Sequence, residues 1–215
     1  MLWEAIMLNL AAIDRAELQQ DPFDFLLVSG VLAPLDLAAA RQDFPPIISP
    51  GLFPPEALQY GPHFQTLLDE LASPAFEDAL GRKFGLQLAG RPRMVTIRGQ
   101  TQSRDGRIHA DSADKILTCL LYLNHDWDQS GGRLRFLRSQ HDLDDYVVEI
   151  PPAGGSFAAF RVCGHSWHGH APFVGERRSI MINWLCDDAA SQRNHRRHRL
   201  SAWSKRHLPF LFRGK

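Results

Sequence analysis

Apolar residues recur at helical spacing in the first 90 residues of the 215-residue chain and at alternate positions after that. Residues 2–20 read as an amphipathic helix stopped at Asp21-Pro22, because the residue before a proline is pushed out of the helical region. A short apolar strand is expected over 23–31, carrying Phe23, Phe25, Leu26, Leu27 and Val28 and closing around Gly30. Pro34 then opens a helix that Pro45-Pro46 ends, and the Pro- and Gly-rich stretch 47–61 predicts an irregular loop. From 64 to 84, Leu67, Leu68, Leu71, Phe76, Ala79 and Leu80 fall on helical faces, with a break at Ser73-Pro74. This pattern predicts two helices laid on one face of a sheet.

From Arg91 to about residue 185 the period shortens towards two and strands take over. Residues 116–124 (ILTCLLYLN) predict a strand buried on both faces, with Thr118, Leu120 and Tyr122 sharing one of them. Residues 177–184 alternate: Arg177, Ser179, Met181 and Asn183 on one face, Arg178, Ile180, Ile182 and Trp184 on the other. A strand that is polar on one buried face belongs where chemistry is done inside a barrel. Helices first and strands afterwards give an α+β chain with a double-stranded β-helix (jelly-roll) core and N-terminal helices packed on one face. We expect one domain over 1–190, with a helical part at 1–90 and the jelly-roll core at 91–187, followed by a basic tail at 191–215.

Composition changes this picture in two places. With 24 acidic and 24 basic residues the formal net charge is zero, but every acidic residue lies at or before Asp188 and eight Lys and Arg follow it. The first 188 residues thus carry −8 and the tail +8. The tail interleaves Arg193, Arg196, Arg197 and Arg199 with Leu200 and Trp203, which suits an anionic surface, an acidic partner, or packing back onto the acidic domain. Nucleic acid is not expected as a partner. The three cysteines, Cys119, Cys163 and Cys186, show no C-x-x-C spacing and read as free thiols. With no basic, apolar leader at the start, the expectation is a cytoplasmic protein.

Candidate chemistry concentrates in two distant segments. His109-Ala110-Asp111 places two ligand types at i, i+2, so both side chains leave a strand on the same side. After a gap of fifty-six residues comes HGHAPFVGERRS, with His168 or His170 available to complete a face of two imidazoles and a carboxylate. Such a set suits Fe(II) with open positions. Arg177 offers a planar, permanently charged fork for a carboxylate, Ser179 adds a hydroxyl on the same strand face, and the Tyr122 hydroxyl reaches the same pocket. His125, His141 and His165 read as loop histidines, and Asp105 and Asp114 as solvated loop carboxylates.

In these segments the chain resembles the Fe(II)/2-oxoglutarate-dependent dioxygenases, specifically their prolyl-4-hydroxylase-like branch. The resemblance runs over residues 94–187: HAD, then TCLLYLNHDW, SGGRLR and PPAGGSFAAF, then H-x-x-x-P-x-x-x-x-R-x-S. It implies His109, Asp111 and His168 as iron ligands, His168 being the histidine nine residues before Arg177. It further implies that Arg177 and Tyr122, with Ser179 beside them, hold 2-oxoglutarate, and that ascorbate serves as an accessory reductant. The implied activity is oxidation of an unactivated C–H coupled to conversion of 2-oxoglutarate to succinate and CO2. Because Asp111 is a carboxylate, hydroxylation is favoured over halogenation. Arg98 lies where these enzymes place a substrate-facing residue, and an arginine there suits an anionic group. The substrate is expected to be a small molecule or a prolyl-containing chain, with O2 as the other reactant. Loops 99–107 and 138–146 would flank the entrance. Two other readings remain open at this point: a jelly-roll module that binds metal without turnover, and a non-haem iron enzyme that does not use 2-oxoglutarate.

Overall fold

Ser73-Pro74 does what a helix start requires. The Ser73 hydroxyl accepts from the Phe76 amide at 3.2 Å and Pro74 fills the first helical position, where its missing N–H costs nothing. The helix that follows, α4 (Pro74–Phe84), ends at Gly85 with φ 61°, a left-handed position that glycine takes without strain. Ahead of it stand α1 (Leu10–Arg15), α2 (Pro34–Gln42) and α3 (Pro62–Leu71), the last two also opened by proline. The computed structural model describes residues 7–187 and 189. The basic tail at 191–215 lies outside them. Among the described residues no helix is long and apolar enough to cross a membrane.

The first helix departs from the pattern. Residues 2–6 lie outside the described segment, and helix spans only Leu10–Arg15 of the 2–20 expected. Long-range bonds override local spacing on both sides of it. The Glu70 carboxylate on α3 accepts from the Met7 and Leu8 amides, each at 2.8 Å, and holds that stretch extended. Beyond the helix, Gln19 pairs with Phe25 through two backbone bonds of 2.8 and 2.9 Å, so the chain turns back through Asp21-Pro22. The following strand, β1 (Phe25–Val28), is correspondingly shorter than 23–31. Residues 47–61 are irregular apart from one 3₁₀ turn at Pro55–Ala57. Phe53 and Ile97 exchange backbone bonds of 2.8 and 3.0 Å, which places that loop against a sheet edge.

Seven more strands follow: β2 (Arg93–Thr101), β3 (Lys115–Tyr122), β4 (Leu134–Leu137), β5 (Tyr146–Ile150), β6 (Phe157–Arg161), β7 (His168–Gly169) and β8 (Gly175–Leu185). They form a five-stranded sheet in the order β1-β6-β3-β8-β2 and a three-stranded sheet in the order β5-β4-β7, antiparallel throughout. Alternation assigns each face of the larger sheet a role. Leu117, Cys119 and Leu121 of β3 and Ile180, Ile182 and Trp184 of β8 face the helices and pack with Phe64, Leu67, Phe76 and Leu80. Phe76 meets Phe157 at 6.0 Å and Trp184 at 6.2 Å, and the Trp184 indole donates to Glu77 of α4 at 3.1 Å. The opposite face looks towards the small sheet. There Phe136 sits 5.0–5.3 Å from Phe23, Phe25 and Phe160, sealing one side of the space between the sheets. Each large apolar side chain so buried stabilises the fold by about 1.5–3 kcal/mol relative to exposure.

Candidate active site

The inward-facing positions of β2, β8 and β3 form cross-strand rows. Arg98, Ser179 and Tyr122 lie abreast, then Thr96, Met181 and Leu120, then Met94, Asn183 and Thr118. Polar groups therefore stand at both ends of this face, with Met181 and Leu120 between them.

At one end are His109, Asp111 and His168, whose ligand atoms all lie within 4.8 Å of one another. His109 is outside any strand, but a two-residue bridge fixes it. The His109 amide donates to the His168 carbonyl at 3.0 Å, and the return bond is 2.9 Å. The rings sit 4.3 Å apart. Each imidazole is anchored through the same atom: Nδ1 of His109 donates to the Arg107 carbonyl at 2.8 Å, and Nδ1 of His168 to the Ser166 carbonyl at 2.9 Å. Since a carbonyl only accepts, both Nδ1 atoms carry the proton and both Nε2 lone pairs are left for a metal. Burial, joined by the nearby His109, lowers the His168 pKa to about 4, so this imidazole is neutral at physiological pH.

The third member is held by neighbours that the sequence motifs did not single out. Lys115 donates to Asp111 Oδ1 at 2.7 Å, and the Thr118 hydroxyl to Oδ2 at 2.6 Å. Burial works against the charged carboxylate, but Lys115, His168 and the two hydrogen bonds outweigh it and keep the Asp111 pKa below its ordinary value. The signal that could have found Lys115 was its i+4 spacing from Asp111. Thr118 and Asn183 were visible only as members of the alternating inward face.

At the other end stands Arg177, 5% exposed. Its Nε donates to the Gly132 carbonyl at 2.8 Å, its Nη2 to the Tyr122 hydroxyl at 3.2 Å, and its guanidinium lies 5.1 Å from the Tyr122 ring centre. Among the described residues no carboxylate pairs with it. Burial raises the Tyr122 pKa against the opposing pull of Arg177, so the phenol stays protonated. A buried guanidinium without a counter-charge is costly and asks for an anion.

Arg98 faces the same space, but its Nη1 pairs with Asp105 at 2.7 Å. That corrects the expectation of a solvated Asp105: both side chains are only 18% exposed, and the carboxylate also accepts from the Gln102 amide. An inward-pointing arginine drew the loop carboxylate in, because leaving its charge unpaired costs more than ordering the loop. Burial lowers the Arg98 pKa despite Asp105, with Arg177 adding to the effect.

His170 lies apart from the metal cluster. Its Nδ1 meets the Ala171 carbonyl at 2.9 Å and its amide donates to the Gly106 carbonyl at 2.8 Å. Gly106, at φ 84°, leaves bare the space its ring occupies. Burial and then Arg177 lower the His170 pKa to about 4. His125, His141 and His165 are exposed. The three cysteines are free and none joins the cluster. Of the entrance loops, 99–107 is tied down by Asp105, and 138–146 by ion pairs from Arg135 to Asp144 and from Arg138 to Asp145.

Residues 98–186 match the family model of the 2OG-Fe(II) oxygenase superfamily. No curated protein matches the chain. Among solved structures it is similar to a Pseudomonas putida prolyl-4-hydroxylase, with TM-score 0.55 and 18% identity, over 85% of this chain and 96% of that one. It is also similar to an oxidoreductase of the 2OG-Fe(II) oxygenase family from Burkholderia pseudomallei, with TM-score 0.51 and 18% identity, over 82% and 90% of the two chains. A prolyl 4-hydroxylase from Phytophthora capsici gives TM-score 0.51 and 17% identity, over 83% of this chain and 63% of that one. At these identities the likeness is one of fold. The family implies Fe(II) and 2-oxoglutarate, and the residues present fit both. Two imidazoles and a carboxylate converge for the metal, and a buried arginine with no acidic partner among the described residues stands ready for the dicarboxylate.

Proposed function

We propose that this chain, an oxygenase of the 2OG-Fe(II) superfamily over residues 98–186, hydroxylates an unactivated C–H of a substrate that carries an anionic group. In this reading His109, Asp111 and His168 hold the iron. Bound together, Fe(II) and 2-oxoglutarate supply an O2-dependent oxidation that releases succinate and CO2 and delivers one oxygen atom to the substrate. The protein's part is positional. Arg177 takes the distal carboxylate of 2-oxoglutarate, and the protonated Tyr122 and Ser179 add donors. Met181 and Leu120, midway along the face, suit the methylene segment and keep water from it. The two facing antiparallel sheets support a double-stranded β-helix as the frame for this alignment.

The observation that carries the reading is Arg177: a guanidinium this deeply buried, on the same inward face as a His-Asp-His cluster, has no carboxylate among the described residues to answer it. Substrate class rests on Arg98, which stands in the row of Ser179 and Tyr122 with one fork nitrogen held by Asp105 and Nε and Nη2 bonded to nothing among the described residues. The free side of the fork suits a carboxylate or phosphate. The test is a screen of anionic metabolites and prolyl peptides with Fe(II), 2-oxoglutarate and O2, read by succinate release and product mass. Succinate formation matched by a product gain of one oxygen atom is the expected result. Tight binding of metal and 2-oxoglutarate with no succinate under any condition would identify a non-catalytic module.

A further inference from the structure

The Thr118 hydroxyl has two oxygen neighbours and one proton. It lies 2.6 Å from Asp111 Oδ2 and 2.9 Å from Asn183 Oδ1, while the Asn183 amide nitrogen is fully buried and bonds to nothing among the described residues. The proton goes to the carboxylate, since an ionised oxygen is the stronger acceptor and makes the shorter bond. With the amide oxygen towards Thr118, two lone-pair atoms would then face each other at 2.9 Å, and a buried NH2 would go without a partner. A half-turn of the amide turns the facing lone pairs into an N–H···O bond and leaves the amide oxygen, in place of the NH2, in the unpartnered position, because the ends of an asparagine amide are nearly equal in shape and differ only in donating and accepting.

We infer that Asn183 is a positioning residue for the metal-binding carboxylate, with its amide nitrogen donating to Thr118 and Thr118 donating to Asp111 Oδ2. Lys115 holds the other oxygen at 2.7 Å, so the carboxylate is gripped from both sides and cannot swing out of the plane that the two histidines need. The relay crosses from β8 to β3 within one register row, Asn183 opposite Thr118, which makes the sheet itself the ruler for the Asp111 position. The inference rests on Asp111 being a metal ligand.

The test uses Co(II), which does not turn over, titrated into the full-length protein and followed by its visible spectrum. Asn183→Leu and Thr118→Val should each weaken Co(II) binding about tenfold, the size expected when a partner of a ligand is lost, whereas Thr118→Ser should bind like the native protein. Because Asn183 acts through Thr118, adding Asn183→Leu to Thr118→Val should cost less than a further twofold. A full additional loss in the double variant, or undiminished binding by Asn183→Leu, overturns the inference. Absence of Co(II) binding by the native protein would instead overturn the metal-site assignment. Neutron diffraction of the native protein needs no variant: deuterium on the Asn183 atom nearest Thr118 is the expected result, and a bare oxygen there is the contrary one.

Discussion

The two faces of β3 and β8 are built from one alternating sequence and do opposite things. Towards the helices, Leu117, Cys119, Leu121, Ile180, Ile182 and Trp184 are buried in an apolar layer whose needs are met by contact alone. Towards the small sheet, Thr118, Tyr122, Arg177, Ser179 and Asn183 are just as buried but polar, and among the described residues Arg177 and Asn183 lack partners for part of their bonding capacity. The outer face is complete without a ligand; the inner face is not. Stability is therefore expected to depend on the outer face and binding on the inner, although single residues separate them along each strand.

The sharpest break is at the metal end. His109→Ala, Asp111→Ala or His168→Ala should each abolish Fe(II) binding and turnover while leaving the melting temperature of the metal-free protein nearly unchanged, and His170→Ala should keep the metal. Loss of iron in His170→Ala with retention in His168→Ala would reverse the ligand assignment. On the outer face, Phe76→Ala should cost about 3–5 kcal/mol of stability in denaturant unfolding, as for other large-to-small changes at sealed core sites. The folded fraction of that variant should bind 2-oxoglutarate with native affinity; a parallel loss of affinity would show that the faces are not separable.

Acidity probes the buried histidines. His168 and His170 have folded-state pKa values of about 4 against 6.5 in the unfolded chain. Between these values the unfolded chain takes up more protons, so stability of the metal-free protein should fall as pH drops from about 6.5 to about 4. Replacing His170 by Gln should remove part of that slope, which urea unfolding at several pH values would measure. Next in size, Arg177→Lys keeps the charge and loses the fork, so the 2-oxoglutarate dissociation constant should rise roughly ten- to a hundredfold, about 1.4–2.7 kcal/mol. Tyr122→Phe removes one neutral donor and should cost about tenfold or less.

What could be read from sequence divides along the same line. The outer face was legible, because apolar spacing reports directly on contact: α2, α3, α4 and β3 fall where the pattern puts them. The motif spacing grouped His109 and Asp111 with His168, and Arg177 with Tyr122, and the structure brings each group together. What escaped were partnerships set by the fold. Asp105 looks solvated until Arg98 turns inward to meet it. Lys115 looks like a strand-end cation until the chain brings it onto Asp111. Residues 7–9 and 16–20 carry helical spacing, but Glu70 and Phe25 claim the backbone groups that flank α1.

The claim that Arg177 awaits the far carboxylate of the co-substrate can be tested from the ligand side. Mn(II)-loaded native protein and its Arg177→Met variant would each be titrated calorimetrically, under argon, with 2-oxoglutarate and with 2-oxopentanoate, which lacks that carboxylate. The account predicts that the native protein prefers 2-oxoglutarate by roughly a hundredfold, about 2.7 kcal/mol, and that the variant shows little preference. An equal preference in both proteins would contradict it.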